Sequence, residues 1–374
     1  MKIAKFKVED WFNKYEKGAK YDLADTCIES MSINDLLDVV GLDKSLIEEV
    51  LSKKLSYGDI HGSTRLKTAI SKLYKTQSLE NITITHGAIG ANHLVFLSII
   101  GNGDEIVSVL PTYQQHYSIP ESFGAVVKKV FLKPENNWIP DLDELDAQVT
   151  PSTKLIAINN PNNPTGSVIK DETMRKIVDI ARKNDCYILC DEVYRGIVRN
   201  KEYETTSIVD LYEKGISTSS LSKAFSLAGL RLGWVVGCPE VIDKINHQRE
   251  YNTISVGVLD DYFASIAVEN KDKIFERNIK KLNQGYKILS DWVESESHIS
   301  CVLPNGGTTA FLQYDMDIPS VDLCKKLLDD TGVLLLPGET LEIENFVRIG
   351  YCSDISRLQN GLKLLSDWLL KIYF

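Results

Sequence analysis

The sequence predicts an α/β protein: a large domain with a mainly parallel sheet flanked by helices, joined to a smaller α+β domain. Two observations carry this. From Ser63 to about Asp260, short apolar or β-branched runs alternate with amphipathic segments, the rhythm of strands buried on both faces and crossed over by helices. Beyond Asp260 the rhythm stops, and a long charged helical stretch over 271–296 leads into strand, helix, strand, strand and helix. The 374 residues suffice for about two domains at roughly 150 residues each.

Taken in order, the first forty residues precede the rhythm and close on a short helix over Ser32–Val40. They are expected to pack with the C-terminal unit, which gives a large domain of 41–284 and a small domain of 1–40 with 285–374. Ser63–Gln77 reads as an amphipathic helix, Asn81–Thr85 (NITIT) as a strand, Asn92–Ile100 as an apolar helix and Glu105–Leu110 as a strand. Further strands are expected at Val126–Leu132, Leu155–Asn159, Tyr187–Asp191 and Leu232–Val236, with a helix over Asp171–Asn184.

Composition narrows the function. With 42 Lys and Arg against 52 Asp and Glu the net charge is −10, the wrong sign for broad attraction to nucleic acid or an anionic membrane, so any anion must be held by a local site. No apolar run approaches the ~20 residues of a membrane span, and the N-terminal MKIAKFKVEDW lacks the apolar block of a signal peptide, so a cytoplasmic protein is expected. The seven cysteines are scattered without a CxxC pair, which favours neither a disulfide framework nor a metal site.

In an open parallel sheet, ligands bind beyond the carboxyl ends of the strands. Four such loops carry unusual residues. After NITIT come His86 and Gly87-Ala88-Ile89-Gly90-Ala91-Asn92, small residues entering a helix, whose free amides can hold a phosphate; a plain glycine-rich turn explains the loop equally well on its own. After LIAIN comes Asn160-Pro161-Asn162-Asn163-Pro164-Thr165-Gly166, over-specified for a mere turn. Asp191 ends an apolar strand and needs a cationic partner; alone, an ion pair with a structural arginine is the simpler explanation. In the fourth loop Lys223 lies among small and apolar residues, where burial is expected to lower its pKa, and Arg231 follows eight residues later with a planar fork suited to phosphate.

Together these loops resemble the class I/II aminotransferases, the fold type I enzymes that bind pyridoxal 5′-phosphate (PLP). The matching pieces, in family order, are Tyr57-Gly58-Asp59-Ile60-His61-Gly62, the GAIGAN loop, Pro111-Thr112-Tyr113, NNPNNPTG, Asp191-Glu192-Val193-Tyr194, Ser220-Leu221-Ser222-Lys223 with Arg231, and Arg348. The resemblance implies that Lys223 forms the aldimine with PLP and moves the substrate proton. It implies that Asp191 pairs with the pyridine nitrogen, while Tyr194 and Asn163 hydrogen-bond the phenolic oxygen and Tyr113 stacks on the ring. His116 would sit behind Asp191, or else be a satisfied core histidine. Gly87, Ala88, Ile89, Ser220, Ser222 and Arg231 would hold the phosphate. Tyr57 would reach the phosphate of the neighbouring subunit, making a homodimer with a composite active site, and Arg348 would clamp the substrate carboxylate.

The implied reaction, through a quinonoid intermediate, is transfer of an amino group from an α-amino acid to a 2-oxo acid. Gln114, Gln115 and His116 suggest a polar amino acid. β- or γ-elimination, C–S lysis and capreomycidine-synthase-like cyclisation share the same residues, and a non-catalytic regulator on the same fold is disfavoured by the complete Lys223, Asp191, Arg231 and Arg348 set. Two departures stand out: 21–27 lacks the glycine that many relatives place against the substrate carboxylate, and the second arginine of some aspartate-specific relatives would fall near 247–253, where Arg249 lies. No strand is followed by GxGxxG, which argues against a nicotinamide dehydrogenase.

Overall fold

The computed structural model describes residues 2–373. Its centre is a seven-stranded sheet: β1 (Ile82–Thr85), β2 (Glu105–Leu110), β3 (Val126–Phe131), β4 (Thr153–Asn159), β5 (Tyr187–Asp191), β6 (Gly215–Ser220) and β7 (Gly233–Val236). Their spatial order is β1-β7-β6-β5-β4-β2-β3. The pairs from β6 through to β3 are parallel and only β7, inserted between β1 and β6, runs against its neighbours. The mainly parallel α/β sheet is as the alternating pattern predicts. Because β2, β4, β5 and β6 point the same way, Tyr113, Asn163, Asp191 and Lys223 emerge at one end of the sheet.

The sequence reading missed β6, and the reason is chemical. Its residues, Gly-Ile-Ser-Thr-Ser-Ser, are all buried although four carry hydroxyls. Those hydroxyls are used: Ser217 donates to Glu192 at 2.9 Å and Thr218 to Asn92 at 2.6 Å. A central strand can be polar where each buried group finds a partner. The helix expected over Ser63–Gln77 also differs, spanning only Thr64–Ser71. The chain leaves it because the Asp210 carboxylate takes the backbone N–H groups of Lys75 and Thr76 at 3.0–3.1 Å. At the other loop the helix begins earlier than expected, running Gly87–Ile99.

The C-terminal part holds an antiparallel four-stranded sheet in the order Leu336–Pro337, Phe346–Gly350, Thr309–Tyr314, Ile299–Cys301, with helices Ser320–Thr331 and Ile355–Tyr373. The N-terminal segment joins it. Tyr21–Asp22 pairs in parallel with Val333–Leu334, and the Trp11 indole donates to the Leu335 carbonyl at 3.0 Å. Helix Ile33–Val40 starts from a Ser32 capping box closed by Asp35, a signal visible in the sequence. The long helix Lys271–Ser295 links the two sheets: Asn278 donates to the Ala224 carbonyl at 2.8 Å, and Trp292 to Ser366 at 2.8 Å. No helix among the described residues is long and apolar enough to cross a membrane.

At Gly350, two residues after Arg348, the backbone of the N-terminal segment packs directly on the C-terminal sheet. Its N–H donates to the Leu23 carbonyl at 2.7 Å, and a Cβ there would fall 1.7 Å from the Asp25 carbonyl oxygen. Backbone on both sides leaves nothing to yield cheaply. Gly350→Ala is expected to lower stability by about 3 kcal/mol, read as an earlier midpoint in urea denaturation; an unchanged midpoint contradicts this packing.

Candidate active site

A cleft of about 480 Å³ opens at the carboxyl ends of the parallel strands, lined from the strand-end loops, from the N-terminal helix Lys7–Tyr15 and from Arg348. Asp191, the last residue of β5, is buried at its floor. Among the described residues no arginine or lysine pairs with it. The Asn92 side-chain amide donates to Asp191 Oδ2 at 2.8 Å, the Val193 N–H donates to Oδ1 at 3.1 Å, and His116 Nε2 lies 3.9 Å from Oδ2. The structural arginine pair anticipated for this loop belongs instead to the next residue: Glu192 meets Arg195 at 2.9 Å. Asn92 is held in turn by Thr218, so β6 orients the residue that orients Asp191.

Lys223 follows β6 and projects across the cleft. Its amine donates to Thr26 Oγ1 at 2.5 Å and lies 3.3 Å from Cys27 Sγ. The sequence expectation of a lowered pKa is reversed. Burial pushes it down, but Tyr194, Cys27 and Asp25 nearby outweigh that, and the net direction is up. The ammonium form is therefore the favoured one against these neighbours. Thr26 and Cys27 occupy the stretch that lacks the relatives' glycine, and Thr308 donates to the Thr26 carbonyl at 2.6 Å, tying that stretch to the C-terminal sheet.

Arg348 sits on the strand Phe346–Gly350 and is buried, with no carboxylate partner among the described residues. It donates from Nη1 to Asn163 Oδ1 at 3.2 Å and from Nη2 to the Ala24 carbonyl at 3.0 Å, while Nε has no partner. Desolvation lowers its pKa, partly offset by Tyr194, Asp25 and Tyr113. A buried guanidinium without a counter-charge costs several kcal/mol, so this arginine is poised for a carboxylate. Asn163 is fixed from behind, its N–H donating to Asn159 Oδ1 at 2.7 Å.

The other end of the cleft suits a phosphate. Helix Gly87–Ile99 begins there with no side-chain cap, leaving the amides of Gly87, Ala88 and Ile89 free of a capping partner. Gly87 has φ +68°, and a Cβ on it would come within 3.1 Å of the Arg231 guanidinium. Arg231, itself left-handed at φ 48°, is steadied by the Ala228 carbonyl at 2.8 Å and has no carboxylate partner. Ser220 and Ser222 line the same end, the Ser222 N–H donating to Ser220 Oγ at 3.2 Å.

Between these ends the Tyr194 hydroxyl is buried with no partner, and Tyr113 lies along the wall with its hydroxyl donating to Glu9 at 3.0 Å and its ring edge-to-face with Phe6. An aromatic ring bearing a phosphate, a basic nitrogen and a phenolic oxygen fits this set: free helix amides and Arg231 for the phosphate, Asp191 for the nitrogen, Tyr194 for the oxygen. PLP has those groups.

The structure thus brings Lys223, Asp191, Tyr194, Asn163, Tyr113, Ala88, Ile89, Ser220, Ser222, Arg231 and Arg348 to one cleft, with Gly87 beneath Arg231 and His116 behind Asp191. Tyr57 lies elsewhere, 79% exposed in a separate depression beside Arg65 and Tyr262. Arg249 is buried, its guanidinium donating to the carbonyls of Ile84 at 2.8 Å and Ile254 at 3.1 Å, with its pKa pushed down to about 10 by burial. The sequence reading missed Glu9, Thr26, Cys27 and Asn92. Asn92 carried a signal, an amide in the small-residue stretch that opens the helix, as did Thr26 and Cys27, which lie in the 21–27 stretch without the relatives' glycine; Glu9 carried none.

Comparison with known proteins agrees with the geometry. The family model "Aminotransferase class I and II" matches residues 34–365. Capreomycidine synthase of Streptomyces vinaceus is 28% identical over 365 residues, 97% of this chain and 93% of the relative. Aspartate aminotransferase of Thermotoga maritima is 28% identical over 326 residues, 84% of each chain. The crystal structure of a PLP-dependent aminotransferase from Streptococcus suis superposes with a TM-score of 0.96 at 40% identity, covering 99% of both chains. A cleft lysine, a buried carboxylate and a buried arginine on this sheet agree with the match, which places the chain in the class I and II aminotransferases, a family of PLP-dependent enzymes.

Proposed function

We propose that the protein transfers the amino group of a polar α-amino acid to a 2-oxo acid, with Glu9, Thr26 and Asn163 lining the cleft in place of Gln114, Gln115 and His116, the sequence-expected polar lining, which do not line it. The observation that carries this is the buried, unpaired Arg348 facing the same cleft as Lys223: a site for an α-carboxylate placed beside an amine that can exchange with a substrate amine. PLP supplies, when bound, an electrophilic carbonyl and a ring that stabilises negative charge at the substrate Cα.

The chain's own residues do the rest. Arg348 fixes the α-carboxylate, its free Nε adding a donor to the fork. Lys223 Nζ would take the proton from Cα and return it two atoms along, on the far side of the amino nitrogen, with Thr26 Oγ1 setting where the amine rests. Asp191, oriented by the Asn92 amide and the Val193 N–H, would pair with the ring nitrogen. Tyr194 Oη hydrogen-bonds the ring oxygen. We further propose a homodimer in which Tyr57 reaches the partner's phosphate end. Tyr57, Leu55, Ile60 and Tyr251 are exposed apolar side chains that such an interface would cover.

A second reading is cyclisation or elimination of an amino acid. It is favoured by the capreomycidine synthase match, which spans 97% of the chain where the Thermotoga aminotransferase match spans 84%. Product analysis separates the two. Transamination with amino acid alone gives one equivalent of oxo acid per site and then stops until a 2-oxo acid is added. Continuous release of ammonia, or of a cyclic amino acid, without an acceptor contradicts it.

Asn92→Leu tests the support of Asp191. It removes the 2.8 Å donor and leaves both Asp191 and Thr218 short of a buried partner. PLP affinity and kcat are each expected to fall about tenfold, a loss of ~1.4 kcal/mol each, while Asn92→Asp, which places a second carboxylate beside Asp191, falls further. Titration by cofactor absorbance checks this, and wild-type affinity in Asn92→Leu contradicts it.

A further inference from the structure

Besides Asp191, one carboxylate lines the cleft: Glu9, in the first turn of helix Lys7–Tyr15. That helix is seated over the cleft from both sides. Lys7 pairs with Glu339 at 2.8 Å and Glu342 at 3.0 Å, its N–H donates to Gln114 at 2.8 Å, and the Gln114 amide returns a bond to the Lys5 carbonyl at 2.9 Å. The cations around Glu9 are engaged elsewhere. Lys5 and Lys14 both pair with Asp10, at 2.5 and 2.6 Å, and Lys7 with the two glutamates above. Among the described residues no cation pairs with Glu9, and its oxygens are committed only to the Tyr113 hydroxyl at 3.0 Å.

The cleft's cations are Lys223, Arg231 and Arg348. If the proposed function holds, these serve the cofactor carbonyl, the phosphate and the substrate α-carboxylate. A second, distal carboxylate then finds no cation of this protomer and meets the charge of Glu9 instead. Arg249 does not fill the gap, since its guanidinium is turned inward to Ile84 and Ile254. Glu9, Tyr113 and Arg348 line the same cleft, and Glu9 accepts the Tyr113 hydroxyl at 3.0 Å. Val8 and Phe12, an i,i+4 pair on the same helix, line the wall beside Glu9 and offer an apolar surface to a side-chain stem.

We propose that Glu9 is a specificity residue that selects α-amino acids with a cationic side chain, a guanidinium or ammonium, whose α-carboxylate rests on Arg348. This rests on the reading of the cleft as an amino-acid site. It sharpens "polar" to "cationic" and disfavours dicarboxylic substrates.

The test uses the PLP-loaded enzyme and its Glu9→Gln and Tyr113→Phe variants. Each is titrated with L-arginine and L-lysine, their neutral counterparts L-citrulline and L-norleucine, and L-aspartate, following cofactor absorbance for apparent Kd and product for rate. Wild type is expected to prefer each cationic amino acid over its neutral counterpart about tenfold, with aspartate weakest. Glu9→Gln brings that ratio near one. Tyr113→Phe, which loses the same hydrogen bond but keeps the charge, retains it. A wild-type ratio near one, a preference for aspartate, or a ratio unchanged by Glu9→Gln overturns the role of Glu9 and leaves the amino-acid reading standing. A wild-type spectrum that responds to no amino acid overturns both.

Discussion

Charge buried without a counter-charge is the constraint around which this molecule is arranged. Among the described residues Asp191, at the floor of the cleft, pairs with no lysine or arginine, and Arg348, buried in the same cleft, with no carboxylate. The Lys223 amine, in that cleft too, meets the Thr26 hydroxyl and the Cys27 thiol. A chain that folded for stability alone would bring Asp191 and Arg348 together or replace both with apolar residues. Here each is held apart by neutral groups: Asn92 and the Val193 amide for the acid, Asn163 and the Ala24 carbonyl for the arginine. Neutral dipoles keep the charges in place without cancelling them, so the electrostatic completion is left to ligands.

Holding those groups apart requires supports from distant parts of the chain. The polar strand β6 serves the floor, with Thr218 fixing Asn92 and Ser217 fixing the neighbouring Glu192, whose pairing with Arg195 absorbs the ion pair that would otherwise compete for Asp191. The N-terminal segment serves the opposite wall. It runs from helix Lys7–Tyr15 over the mouth, through the Leu23–Gly350 contact, to Thr26 against Lys223. Arg348 and Thr26 therefore reach the cleft on one packed unit, and a shift of either sheet relative to the other changes the distance between the amine and the carboxylate site.

Much of this was legible from residue order. The alternation of apolar strands with helices gave the parallel sheet, and strand-end loops carrying Gly87, Asn163, Asp191 and Lys223 marked the face where ligands bind. Residues that act through their own chemistry are recognisable because their types are costly elsewhere. Supports are harder to see. Strand β6 escaped because hydroxyls, not apolar side chains, fill its buried positions. Asn92 looked like part of a helix start, and Glu9 lies in an ordinary charged helix whose importance arises only from where Lys7 and Gln114 seat it. The rise in the Lys223 pKa was hidden for the same reason: beside Tyr194, the groups that raise it are Cys27 and Asp25, nearly 200 positions away in sequence and near only in the fold.

The central claim is that Lys223 is the amine that anchors the cofactor in this cleft. Borohydride reduction of the PLP-loaded protein, followed by proteolysis and mass mapping, tests it directly, because reduction fixes a cofactor–lysine linkage permanently. The account predicts one pyridoxyl-modified peptide per chain, carrying the adduct on Lys223. An adduct on another lysine, or none with the cofactor still bound, would contradict it.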